Sequence, residues 1–127
     1  MNLNQVTLPA TDLARSVEFY RMLGFTLIVS DLPTYARFEC PLGDSTFSLS
    51  RVDRMLAGEG VVVYFECPNL DETYAKLRSK GIPFDTPPED KPWLWREALL
   101  RDPDGNSLCL FQAGEARRNP PWRVVDK

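Results

Sequence analysis

With 127 residues, 43% of them hydrophobic, the chain has apolar side chains for one core and too few for two independent ones. It contains no histidine, which removes Ser-His-Asp and Cys-His catalysis, histidine proton relays and every histidine-containing metal site. A net charge of −3, with one short basic cluster at Arg117, Arg118 and Arg123, provides no basic field for phosphates, so nucleic acid is not an expected partner.

No apolar run approaches the roughly 20 residues of a membrane span, and no partnership with a membrane is expected. Met1-Asn2-Leu3-Asn4-Gln5 lacks a basic region followed by an apolar stretch, so the expectation is a protein that is not exported. Cys40, Cys67 and Cys109 show neither zinc-knuckle nor redox spacing, which fits a reducing, cytoplasmic setting. Any chemistry must come from carboxylates, Tyr, Cys, Ser, Arg or Lys.

Along the chain, Leu3 to Leu8 alternates apolar and polar side chains and predicts a strand with one buried face. Thr11 or Asp12 can cap a helix over 12–23, where Leu13, Val17, Tyr20 and Leu23 share a stripe and Gly24 stops it. Strands are predicted next at 25–30, 34–40 and 45–52, separated by Asp31-Leu32-Pro33 and Pro41-Leu42-Gly43-Asp44. The unit is βαβββ. Residues 53–60 read as a linker, and the same order then recurs. A strand at 61–67, a helix at 70–80 stopped by Gly81, and strands at 82–84, 94–101 and 107–111 are expected. Val6 falls on Val63, Leu8 on Phe65, Leu13 on Leu70, Tyr20 on Leu77 and Gly24 on Gly81. The segment 114–127 is expected to be an appended arm, with Trp122 after two prolines as an anchor that buries against this subunit or its mate. The expected domain is therefore 1–113, in modules 3–52 and 61–112. If the repeat is coincidental, a ferredoxin-like α+β domain is the alternative.

Val6-Thr7-Leu8-Pro9-Ala10-Thr11-Asp12-Leu13, Ser16-Val17-Glu18-Phe19-Tyr20, Leu23-Gly24-Phe25 and Asp102-Pro103-Asp104-Gly105-Asn106 resemble the vicinal oxygen chelate superfamily. Glyoxalase I, extradiol dioxygenases, fosfomycin-resistance proteins and bleomycin-resistance proteins belong to it. The resemblance covers residues 4–112. It implies an α+β fold of two βαβββ modules, a half-open curved mixed sheet with helices outside and a ligand groove, and commonly a homodimer. It also implies four metal-ligand positions, usually His, Gln or Glu, which fall here on Gln5, Ser48, Val62 and Cys109. Valine has no donor and serine rarely ligates a divalent ion, so the usual metal is not expected. A zinc site at Cys109 would need Glu66 or Glu97 to point inward. The other reading of Cys109 is a small buried apolar residue.

Strand alternation puts Val6, Leu8, Phe47, Leu49, Val63, Phe65, Leu108 and Leu110 beneath the helices. The opposite parity then offers Gln5, Thr7, Ser48, Ser50, Tyr64, Cys109 and Phe111 to a ligand, with Thr46, Val62 and Glu66 beside them. Trp93, Trp95 and Glu97 would share a face of one strand, forming an aromatic wall beside a carboxylate suited to a cationic or aromatic ligand. If that face is the outer one, the tryptophans pack against a partner or the arm. Glu66 and Glu97 are the candidate acid/base groups unless paired with Arg37, Arg96 or Arg101. The leading expectation is a small-molecule-binding protein without a metal cofactor. The alternatives are a glyoxalase-like lyase, isomerase or dioxygenase with a divergent metal site or a glutamate acid/base, and an interaction protein working through Trp122.

Overall fold

The computed structural model describes residues 1–56 and 60–125. It divides the chain into two compact units, 1–60 with 102–106, and 61–101 with 107–127. No described helix is long and apolar enough to cross a membrane.

The first unit runs β1 (Gln5–Ala10), α1 (Leu13–Met22), β2 (Thr26–Asp31), β3 (Tyr35–Glu39) and β4 (Thr46–Arg51). Its strands lie in the order β1-β4-β3-β2, with β1 parallel to β4 and the other pairs antiparallel. The β1 strand begins two residues later than the alternation predicted. Asp12 caps α1 by accepting from the Arg15 amide. After the helix, Gly24 takes φ 100°, a left-handed turn that returns the chain to the sheet. The helix lays Leu13, Val17 and Tyr20 on one sheet face. There Tyr20, Phe25, Phe38 and Phe47 form an aromatic core, with Tyr20 and Phe47 ring centres 4.7 Å apart.

Residues 102–106 complete this unit. Buried Asp102 accepts from the Tyr20 hydroxyl at 2.7 Å and from the Asn106 side chain at 2.9 Å, while Asn106 also donates to the Pro9 carbonyl. Asp104 accepts from the Thr11 amide and hydroxyl and from the Ser16 hydroxyl. The Asp-Pro-Asp-Gly-Asn segment thus satisfies the polar groups that α1 and Thr11 would otherwise leave unpaired.

The second unit runs β5 (Val62–Glu66), α2 (Leu70–Ser79), β6 (Glu89–Asp90), β7 (Arg96–Arg101), β8 (Ser107–Gln112) and a single 3₁₀ turn at Gly114–Arg117. The order β5-β8-β7-β6 repeats that of the first sheet, again with one parallel pair, β5 with β8. Asn69 caps α2, and Leu70, Leu77, Ile82, Ala98, Leu100, Leu108 and Leu110 are buried. Two four-stranded mixed sheets with two helices are the α+β fold that the repeat and the resemblance implied.

Three expectations are corrected here. No strand forms at 82–84, because Pro83 has no amide to donate; Ile82 instead closes the helix end by donating to the Leu77 carbonyl. The chain then follows β7 irregularly, with Asp85 and Thr86 amides bonded to the Leu99 carbonyl, and only Glu89–Asp90 pairs as a strand. Trp93 and Trp95 are not on a strand: Lys91 to Trp95 form the turn before β7, with Leu94 at φ 69°. Trp122 is 56% exposed, so it does not bury against its own subunit. Of the expected linker, 53–56 and Gly60 form no helix or strand, and 57–59 lie outside the described residues, as do 126 and 127 of the arm.

Candidate functional site

In each sheet the helix covers one face, and strand alternation sends every second side chain to the other. On the first unit that other face is laid out in rows by register: Gln5, Thr46 and Glu39; Thr7, Ser48 and Arg37; Pro9, Ser50 and Tyr35. Ser48 is fully buried and its hydroxyl lies 2.6 Å from that of Thr7. Gln5 is exposed and its amide oxygen accepts from Thr46 at 2.7 Å. Arg37 donates through Nε to the Tyr35 hydroxyl at 2.9 Å. Hydrogen bonding from Ser48, then from Arg37 together with its charge, outweighs burial and holds the Tyr35 phenol below its ordinary pKa.

On the second unit the corresponding rows are Tyr64, Cys109 and Leu99, then Glu66, Phe111, Glu97 and Glu89. Trp95 stacks on Phe111 with ring centres 4.6 Å apart and planes at 17°, and Tyr64 meets both rings edge-on. Glu97, 5% exposed, accepts from the Trp93 indole nitrogen at 2.6 Å. Trp93 and Trp95 therefore flank Glu97 as expected, although a turn rather than a strand brings them there. Tyr64 stays 50% exposed, so the wall offers ring surface.

The two candidate acid/base glutamates have different surroundings. Glu66 is exposed; its Oε2 accepts from the Ala113 and Gly114 amides and its Oε1 pairs with Arg117. Of the arginines expected to pair with these glutamates, Arg96 binds Asp71 and Asp90 instead, and Arg101 binds Asp85. Burial first, then the charge and hydrogen bond of Glu97, push the Cys109 thiol up to about 12. At neutral pH it is a buried, protonated group.

The four positions implied for a metal do not fit a divalent ion of the usual kind. Gln5 and Ser48 are engaged with Thr46 and Thr7, Val62 has no donor atom, and Cys109 would be a single soft thiolate, which does not replace the oxygen or imidazole ligands such an ion takes. Among the described residues no three His, Cys, Asp or Glu side chains are grouped to hold a metal ion.

Tyr35 is not among the sequence candidates, and Arg37 stands there only as a possible partner of Glu66 or Glu97. Their signal was there: Tyr35, Arg37 and Glu39 alternate with buried Ala36 and Phe38.

A model of the Glyoxalase/Bleomycin resistance protein/Dioxygenase superfamily matches residues 2–110. The protein YraH of Bacillus subtilis is 30% identical over 88% of this chain and 98% of its own length. A glyoxalase/bleomycin resistance protein/dioxygenase from Nocardioides, solved by crystallography, is 30% identical with a TM-score of 0.78, covering 98% of this chain and 90% of that one. The crystal structure of a bleomycin-binding protein complexed with bleomycin shares the fold at 24% identity and a TM-score of 0.72, over 88% of this chain and 98% of that one.

Proposed function

The chain belongs to the glyoxalase/bleomycin resistance protein/dioxygenase superfamily, and from that premise we propose that it binds a small molecule without the usual divalent ion. The observation that carries the reading is the stacked Trp95–Phe111 pair with Tyr64, beside the buried carboxylate of Glu97. Aromatic faces attract a cation through their quadrupole, and a carboxylate shielded from water strengthens that preference. The ligand class this selects is an aromatic or cationic molecule; the polar face of the first unit, with Thr7 and Ser50, is read separately as ligand-facing. The superfamily's bleomycin-binding member supports the same use of the scaffold by analogy of fold. Assembly as a homodimer in the cytoplasm is part of this reading. Exposed Val61 and Val62 at the edge strand β5 support the dimer, which analytical ultracentrifugation tests.

A lyase, isomerase or dioxygenase reading has less to rest on, because Glu66 is committed to three donors and Val62, at one of the four implied metal positions, carries no donor atom.

The test is calorimetry with benzamidinium, using benzyl alcohol as the neutral comparison and a chelator throughout. The cation binds more tightly, and Trp95→Ala and Glu97→Gln each weaken it by about tenfold, the scale of one cation–π contact or one charge-assisted bond. Equal binding in both variants, or stoichiometric uptake of Ni²⁺ or Zn²⁺ that binding requires, would refute the proposal.

A further inference from the structure

The first unit carries a feature that the aromatic wall does not explain. Among the described residues Arg37 is the one cationic side chain on the strand face opposite α1, and it is half-buried. Glu39, two residues along β3, and Asp31, opposite Tyr35 on β2, are the carboxylates closest to it in register. Both are exposed, and among the described residues neither pairs with it. Its Nε is bonded to the Tyr35 hydroxyl, while its two terminal nitrogens make no hydrogen bond among the described residues.

The Tyr35 oxygen accepts the Arg37 Nε–H, and Arg37 lies opposite Ser48, a fully buried residue itself tied to Thr7. A phenol that accepts from Arg37 keeps its own O–H to donate. A guanidinium fork and a phenolic donor therefore lie side by side on one face, the guanidinium carbon 5.4 Å from the centre of the Tyr35 ring, with no carboxylate paired to it among the described residues. A partly desolvated cation held in this way favours an incoming anion, and the planar fork suits two oxygens on one atom.

We propose that Arg37 and Tyr35 form an oxyanion-binding site for a carboxylate or phosphate group of the ligand. The site rests on the reading that this polar face meets a ligand, and it is independent of the wall around Trp95.

Heteronuclear NMR of the full chain tests it, following the Tyr35 and Ser48 backbone amides during titration with acetate and, separately, inorganic phosphate at constant ionic strength. At least one anion gives a saturable shift; the stronger of the two identifies a carboxylate or a phosphate site. Arg37→Gln weakens it about tenfold or more, Arg37→Lys less, and Tyr35→Phe several-fold, since each loses a different part of the donor set. A bound anion opposes tyrosinate formation, so tyrosinate absorbance in the near ultraviolet moves to higher pH in the parent chain and not in Arg37→Gln. No saturable shift with either anion, or an equal shift in Arg37→Gln, overturns the proposal. Trp95→Ala leaves the anion response intact, so failure of this site and failure of the aromatic wall are read separately.

Discussion

At Cys109 the surroundings decide what a common side chain can do. Its thiol is raised from 9.0 to about 12, so it stays protonated where an exposed cysteine would ionise. A group whose pKa is higher folded than unfolded stabilises the fold fully below about pH 9 and loses that contribution as pH rises toward 12. Denaturation midpoints are therefore expected to fall through the alkaline range, and to fall less steeply in Cys109→Ala, a difference that urea titrations at several pH values will show. Tyr20 is the buried counterpart in the first unit: burial, then the nearby charge of Asp102, raises its phenol, which donates to Asp102. Tyr20→Phe removes that donor, leaves Asp102 buried with fewer partners, and is expected to cost about 1–3 kcal/mol in chemical denaturation.

At the scale of elements, the caps and stops were legible because they are local. Asp12 and Asn69 each accept from the amide three residues on, and Gly24 and Gly81 sit at φ 100° and 88°, where other residues are strained. Asn69→Ala is expected to destabilise the chain by about 1 kcal/mol, measured by thermal or urea unfolding, because it removes the bond to the Glu72 amide. The stretch 82–95 was misread for an equally physical reason. Pro83, Pro87, Pro88 and Pro92 remove ladder donors, so the segment bonds where geometry permits, through Asp85, Thr86 and the Thr86 hydroxyl to Leu99. The alternation of Trp93, Trp95 and Glu97 implied a shared strand face. A turn brings them together instead, with the Trp93 indole reaching Glu97.

At the scale of the whole molecule, the two units are similar in order but not separable by one cut. Residues 102–106 belong with 1–60, so a fragment ending at Gly60 would lose the partners of Tyr20, Ser16 and Thr11. Such a fragment is expected to be largely unfolded by circular dichroism, and adding residues 61–127 is expected to restore native signal. The sequence by itself determined the βαβββ repeat and the apolar faces beneath the helices, because period and capping are properties of neighbouring residues. Tertiary structure alone decided that Asp102 and Asp104 serve the first helix, that Glu66 is tied up by the start of the arm, and that Arg37 stands beside Tyr35 without a carboxylate. These depend on which strands become neighbours and in what register, and register joins residues that are far apart in the chain.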